Sequence, residues 1–404
     1  MKSASPPLDH TEHNGGESFS LTQGGLFFQL MHRVGLADDT FRILRKRIIV
    51  LSLFAWLPIL VLSALNGQFL SEKVALPFIW DIDAHVRLLV AMPLLLVAEL
   101  AVHVRLRLLA RDFLTRHLIP EHAVTRFNAA IASAIRLRNS TLAEVLLIGF
   151  VYAVGIMIIW RHHIRLDMAT WYAAPSGSGI NPTLAGLWYG CVSLPLFQFL
   201  LCRWYFRLAI WTRFLWQVAR INLSLVPAHP DRLGGLGFLP GISYALAPLA
   251  IAHGTIAAGF IANRVFFGKA SLSDFTAEIA ILLIFVLCIT AGPLLVFTQQ
   301  LGAAKRRGNR EYAGLAERYI REFDAKWLRG GAADDEILLG SSDIQSLSDL
   351  ANSFQIVASM RAVPLTINAT LELAIMTLAP IAPLLLTIMS QQELVRMLFG
   401  LLVW

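Results

Sequence analysis

The chain has 404 residues, of which 56% are hydrophobic and only 15% charged, with a formal net charge of +7. A soluble globular domain holds about 45–50% apolar and about 25% charged residues. The balance therefore excludes a disordered chain, a fibrous repeat and an ordinary soluble enzyme, and three cysteines exclude a disulfide scaffold.

A mean hydropathy of +0.61 indicates an all-α polytopic membrane protein. Residues 1–24, rich in Ser, Pro, His and Gly, read as a disordered tail. The first apolar run begins only at Ile48, as expected of a retained anchor and not of a cleaved leader. A helix needs about 20 apolar residues to cross the hydrocarbon layer. Seven runs approach that length: Ile48–Leu65, Val86–Val104, Leu142–Trp160, Leu184–Leu201, Ile242–Ile261, Ala277–Phe297 and Ile367–Met389. Their continuity excludes a β-barrel, whose strands alternate apolar and polar residues. Leu394–Trp404 is too short to span and reads as an interfacial segment. The expected organisation is a membrane domain over 25–297 with six spans, a cytoplasmic insertion over 298–364, and a seventh span with the interfacial segment over 365–404.

Of the 34 Lys and Arg residues, 27 fall before the first span or after the second, fourth and sixth. Basic residues stay in the cytoplasm, so seven spans predict a cytoplasmic N-terminus and a periplasmic C-terminus. The positive charge implies anionic lipid at the cytoplasmic face as the partner, with no nucleic acid.

The cytoplasmic segments carry helical signals. Pro120 suits a first turn, followed by Val124, Phe127, Ile131 and Ile135 at helical spacing. No Gly or Pro interrupts Leu196–Leu225, where Trp204, Leu208, Trp211, Leu215 and Val218 form one stripe. Arg203, Arg207, Arg213 and Arg220 lie away from it and are candidate anionic-lipid contacts. The insertion predicts two helices. Asn309 can cap the first, with Tyr312, Leu315, Tyr319, Phe323 and Trp327 on one face and Gly330-Gly331 as its stop. Ser342-Asp343-Ile344-Gln345 has the capping-box pattern for the second, whose stripe is Ile344, Leu347, Leu350, Phe354 and Val357. Two such helices make a small cytoplasmic bundle, not an enzyme domain.

Ionisable residues inside spans are costly and therefore informative. They include Glu99 and His103, four apart in the second run, His253 in the fifth and Glu372 in the seventh. Just before the fifth run stands Pro227-Ala228-His229-Pro230-Asp231-Arg232-Leu233-Gly234-Gly235-Leu236-Gly237, where His229 and Asp231 could handle a proton or bind a metal. The simpler reading is punctuation, since Pro and Gly stop helices and Asp caps turns. By predicted depth Glu99, His103, Glu372, His229 and Asp231 could form one carboxylate–histidine cluster; the alternative is separate, locally satisfied side chains. Cys191, Cys202 and Cys288 read as buried thiols. No phosphate loop, HExxH, paired CxxC or cofactor fingerprint occurs, so no cofactor is predicted and no metal is assigned.

Several segments together carry a resemblance: Val226–Leu239, Phe323-Asp324-Ala325-Lys326-Trp327, Leu339–Leu347, Met360-Arg361-Ala362-Val363-Pro364 and Pro380–Thr387. From about the fourth span onward the chain resembles a family of uncharacterised bacterial multi-pass inner-membrane proteins. The resemblance implies class and bacterial source, supplies no activity, and groups the His-Pro-Asp turn with the cytoplasmic helices.

Three functional readings follow. The first is a transporter or channel-like protein using the Glu/His cluster, which requires those side chains to meet in a wet cavity. The second is a non-catalytic scaffold or sensor acting through the cytoplasmic helices, which requires an exposed apolar face there. A metal- or haem-binding membrane enzyme is the third. Protein partners are not specified.

Overall fold

The computed structural model describes residues 24–36, 41–70, 74, 76–154, 170–176, 179–268, 270–333, 336–338 and 340–387. Nearly all of the tail, the Leu394–Trp404 segment and the far ends of the third and seventh apolar runs lie outside them.

The regular elements among the described residues are helices, apart from one hairpin. The helices are α1 (Leu26–Arg33), α2 (Phe41–Leu65), α3 (Ile82–Thr115), α4 (Val124–Arg138), α5 (Thr141–Val154), α6 (Leu184–Val218), α7 (Ile242–Phe267), α8 (Leu272–Leu328), α9 (Ser342–Ala358) and α10 (Ile367–Leu378). Short 3₁₀ or π turns interrupt α3, α6 and α8 without breaking them. Antiparallel strands β1 (Ala173–Ser176) and β2 (Gly179–Pro182) precede α6, with Ala173 opposite Pro182.

Five helices, α2, α3, α6, α7 and α8, are long and apolar enough to cross a membrane. Among the described residues this supports five of the seven expected spans, or six with one bent pair counted as a span. The third run is α5, only 14 residues as described, set at 45° to α4; the pair counts as a sixth span only if taken together. The described helix of the seventh run, α10, has 12 residues. It packs on α7 where Gly254 leaves no room: a Cβ there would lie 1.9 Å from the Thr377 carbonyl oxygen.

Starts and stops follow local chemistry. Asp81, Thr183 and Thr366 accept from backbone N–H groups in the first turns of α3, α6 and α10. The stripe of α6 is buried, with Trp204, Leu208, Trp211, Leu215 and Val218 all in the core. Two expected caps do not form. Asn309 sits inside a helix, because α8 runs unbroken from the membrane, roughly 85 Å at about 1.5 Å per residue. Ser342 belongs to α9 itself, and Asp343 turns away to accept from Lys326 Nζ at 2.8 Å and Trp327 Nε1 at 2.9 Å. Gly330, at φ +78°, follows the end of α8 as expected.

Residues from Thr298 onward in α8 pair with α9 as a helical arm. Its base packs against the His-Pro-Asp turn: Gly308 abuts Pro227 and Val357, and Arg361 N donates to the Arg232 carbonyl at 2.8 Å. Toward its tip, none of the described side chains is fully buried.

Candidate functional site

The most concentrated chemistry lies near the basic end of the spans. Glu99 projects from α3 into contact with three guanidiniums. Arg207 Nη1 donates to Glu99 Oε1 at 2.6 Å, Arg203 Nη1 to the same oxygen at 3.2 Å, and Arg47 Nη2 to Oε2. Arg203 Nε also lies 3.4 Å from Glu144 Oε1 of α5. All five side chains are buried. An isolated charge would be prohibitive there, so each helix supplies a counter-charge. Three cations against two carboxylates leave one positive charge in excess.

The N-terminal helix closes one side of this cluster. Phe27 N donates to Glu144 Oε2 at 2.9 Å, the Gly24 carbonyl accepts from Arg203 Nη2 at 3.1 Å, and Arg203 stacks over the Phe27 ring at 5.0 Å. Gly25 makes the approach possible. Its φ is +87°, and a Cβ would lie 2.2 Å from Glu144 Oε1. Trp204 and Arg207 pack together on the other flank, with Trp204 Nε1 donating to the Leu95 carbonyl at 2.9 Å.

Each expected site residue has a definite place. Glu99 belongs to the arginine cluster, and His103 is buried one turn further along α3. His253 is buried in α7, where Nδ1 lies 2.7 Å from the Leu249 carbonyl, which can only accept. Nδ1 therefore carries the proton, and Nε2 accepts from the Tyr205 hydroxyl at 2.9 Å. His229 Nδ1 lies 2.9 Å from Asp231 Oδ1. Asp231 accepts from the backbone N–H groups of Leu233, Gly235 and Gly237 at 2.8, 3.2 and 2.8 Å. Burial alone would raise its carboxyl; those N–H donors and His229 hold it below the usual carboxylate range. The His-Pro-Asp motif is thus a self-satisfied turn. Glu372 is half-buried on α10, with no ion pair among the described residues.

Of the residues expected to form one cluster, Glu99 is thus held by arginines and His229 pairs with Asp231 inside the turn. No group of three or more His, Cys, Asp or Glu converges on a metal position among the described residues. The four arginines assigned to lipid also divide. Arg203 and Arg207 are buried partners of Glu99, a correction to the lipid-contact expectation. Arg213 and Arg220 are exposed, the first 3.4 Å from Ser133 Oγ and the second 3.8 Å over the Trp216 ring.

Sequence reasoning missed a second polar centre, at the opposite end of the spans. Asp81 Oδ1 accepts from Asn263 Nδ2 at 2.8 Å and Oδ2 from Trp171 Nε1 at 2.8 Å, tying α3 to α7 and to the residues before β1. Phe78 packs edge-on against Trp171 and His85, and Arg87 Nη2 donates to both Asp83 oxygens, at 2.8 and 2.6 Å. Burial, then the Asp81 charge, pushes the Tyr172 hydroxyl up to about 12.

No family model matches the chain, and neither a curated protein nor a solved structure gives a significant match. Fold and site together define a polytopic α-helical membrane protein with a charged core at one end.

Proposed function

We propose that the protein is a non-catalytic membrane scaffold or sensor of the bacterial inner membrane, working through its helical arm. The observation that carries this reading is the arm's uncovered face. Ile320 of α8 is 54% exposed and Ile344 of α9 is 42% exposed. The two sit at the same level, because the Tyr319 hydroxyl donates to the Asp343 carbonyl. Ala313, Ala316 and Ile320 fall at i, i+3 and i+7 on α8, as do Ile344, Leu347 and Ala351 on α9, which is the spacing of one helix face. Two helices alone cannot cover such a face, and exposed apolar surface of this kind marks an interaction site. The unbroken α8 supports a mechanical link between arm and membrane. The basic-residue bias, with α4 and α5 counted as one span, supports a cytoplasmic arm. A transporter built on the Glu/His cluster is less favoured, because Glu99 is engaged by three arginines.

The test is site-specific photo-cross-linking in intact membranes from position 320, with Arg318, on the opposite side of α8, as reference. A discrete heavier adduct from position 320 and none from position 318 is expected. Absence of any adduct from position 320 would refute the reading.

A further inference from the structure

Helix periodicity splits the basic cluster at the start of α2. Arg47 turns inward to Glu99. Arg42, Arg45 and Lys46 are exposed, with no ion pair among the described residues. Beside Arg45, α2 and α3 fail to close on one another. A groove of about 460 Å³ remains, walled by Leu44 and Ile48 of α2 and by Val97, Leu100 and Val104 of α3, and Arg45 is the charged residue at its edge. The wall is continuous with exposed apolar surface, since Ile49, Val50 and Leu53 are each over 40% exposed. In a bilayer that surface faces hydrocarbon, where only an apolar chain fills a groove without stranding polar groups.

A second apolar groove sharpens the comparison. It has about 470 Å³ between α1, α2, α5 and α6, and its charged residue is Glu144, already bound to Phe27 N and Arg203. That groove offers no cation to a headgroup, whereas the α2–α3 groove offers Arg45 with Arg42 and Lys46 beside it.

We propose that the α2–α3 groove is a binding site for one anionic phospholipid. An acyl chain lies along Leu44, Ile48, Leu100 and Val104, and the phosphate rests on Arg45. Arginine suits that phosphate because its planar fork donates two parallel hydrogen bonds. Specificity comes from pairing a lipid-facing groove with a free cation at its polar end.

The experiment is native mass spectrometry of the full chain from mixed micelles with equal phosphatidylglycerol and phosphatidylcholine. Wild type should retain phosphatidylglycerol selectively. Arg45→Ala should reduce retention about five-fold, the usual worth of one basic side chain at an anionic surface. Ala101→Phe, which fills the groove without changing charge, should reduce it similarly, and Val104→Trp serves if that variant does not fold. Arg318→Ala, an exposed basic residue on the arm, should retain lipid as wild type does. Equal retention of the two lipids, unchanged retention in both Arg45→Ala and the groove-filling variant, or displacement by inorganic phosphate alone would overturn the proposal.

Discussion

Glu99 Oε1 accepts from Arg207 Nη1 at 2.6 Å across the interface of α3 and α6, and both side chains are buried. Removing the acid would leave three guanidiniums with Glu144, beside Arg203, as the one remaining carboxylate of the cluster. Breaking a buried ion pair by deleting one partner typically costs about 3–5 kcal/mol. Glu99→Gln should lower thermal stability in detergent by that order, whereas Arg213→Ala, on an exposed side chain, should stay within about 0.5 kcal/mol. Equal, small effects of both would mean that the cluster does not hold the spans together.

Gly25 is the hinge of the N-terminal contact. Its φ of +87° and ψ of 170° fall in a region that is essentially glycine-only, and a Cβ would collide with Glu144. Gly25→Ala should cost about 1–3 kcal/mol locally and release α1 without unfolding the spans. Hydrogen exchange in Leu26–Arg33 should accelerate while α3 and α6 stay protected. Unchanged exchange in α1 would refute the docking role.

The Asp231 turn gives a pH signature. Its carboxyl is held below the ordinary value of 3.8 in the folded state. A lowered folded pKa means that stabilisation is present above the unfolded value and is lost as pH falls through the folded one. The stability gap between wild type and Asp231→Asn should therefore be widest near neutral pH and shrink below about pH 4. A gap that grows on acidification would contradict the hydrogen-bond assignment.

At the other end, Asp81 satisfies Trp171, Asn263 and the first turn of α3 together. Asp81→Ala strands two buried donors, at about 1–3 kcal/mol each. The expected loss is at least about 2 kcal/mol in a detergent melt, with a red shift of Trp171 emission read against a Trp171→Phe control. Retained stability and emission would show that the centre is dispensable.

Much of this was legible in the sequence. The apolar runs, the buried stripe from Trp204 to Val218, the stop at Gly330 and the turn-forming role of Asp231 all follow from spacing and residue type. Partnerships between helices were not legible. Glu99 was visible as a costly acid, but nothing local says that Arg47, 52 residues earlier, and Arg207, 108 residues later, turn toward it. A buried acid demands cations, and the Arg203/Arg207 pair at i, i+4 was the available signal. How the shorter apolar helices sit was no more legible: hydropathy does not see that α5 stands at 45° to α4, or that α10 rests on Gly254.

The reading of the arm as an interaction element rests on Ile320 being covered in the membrane and bare in the isolated chain. The direct measurement is the thiol-labelling rate of Ile320→Cys, with Cys191, Cys202 and Cys288 replaced, in native membranes and in purified detergent-solubilised protein. Slow labelling in membranes and fast labelling after purification is the expected result. Equally fast labelling in both would contradict it.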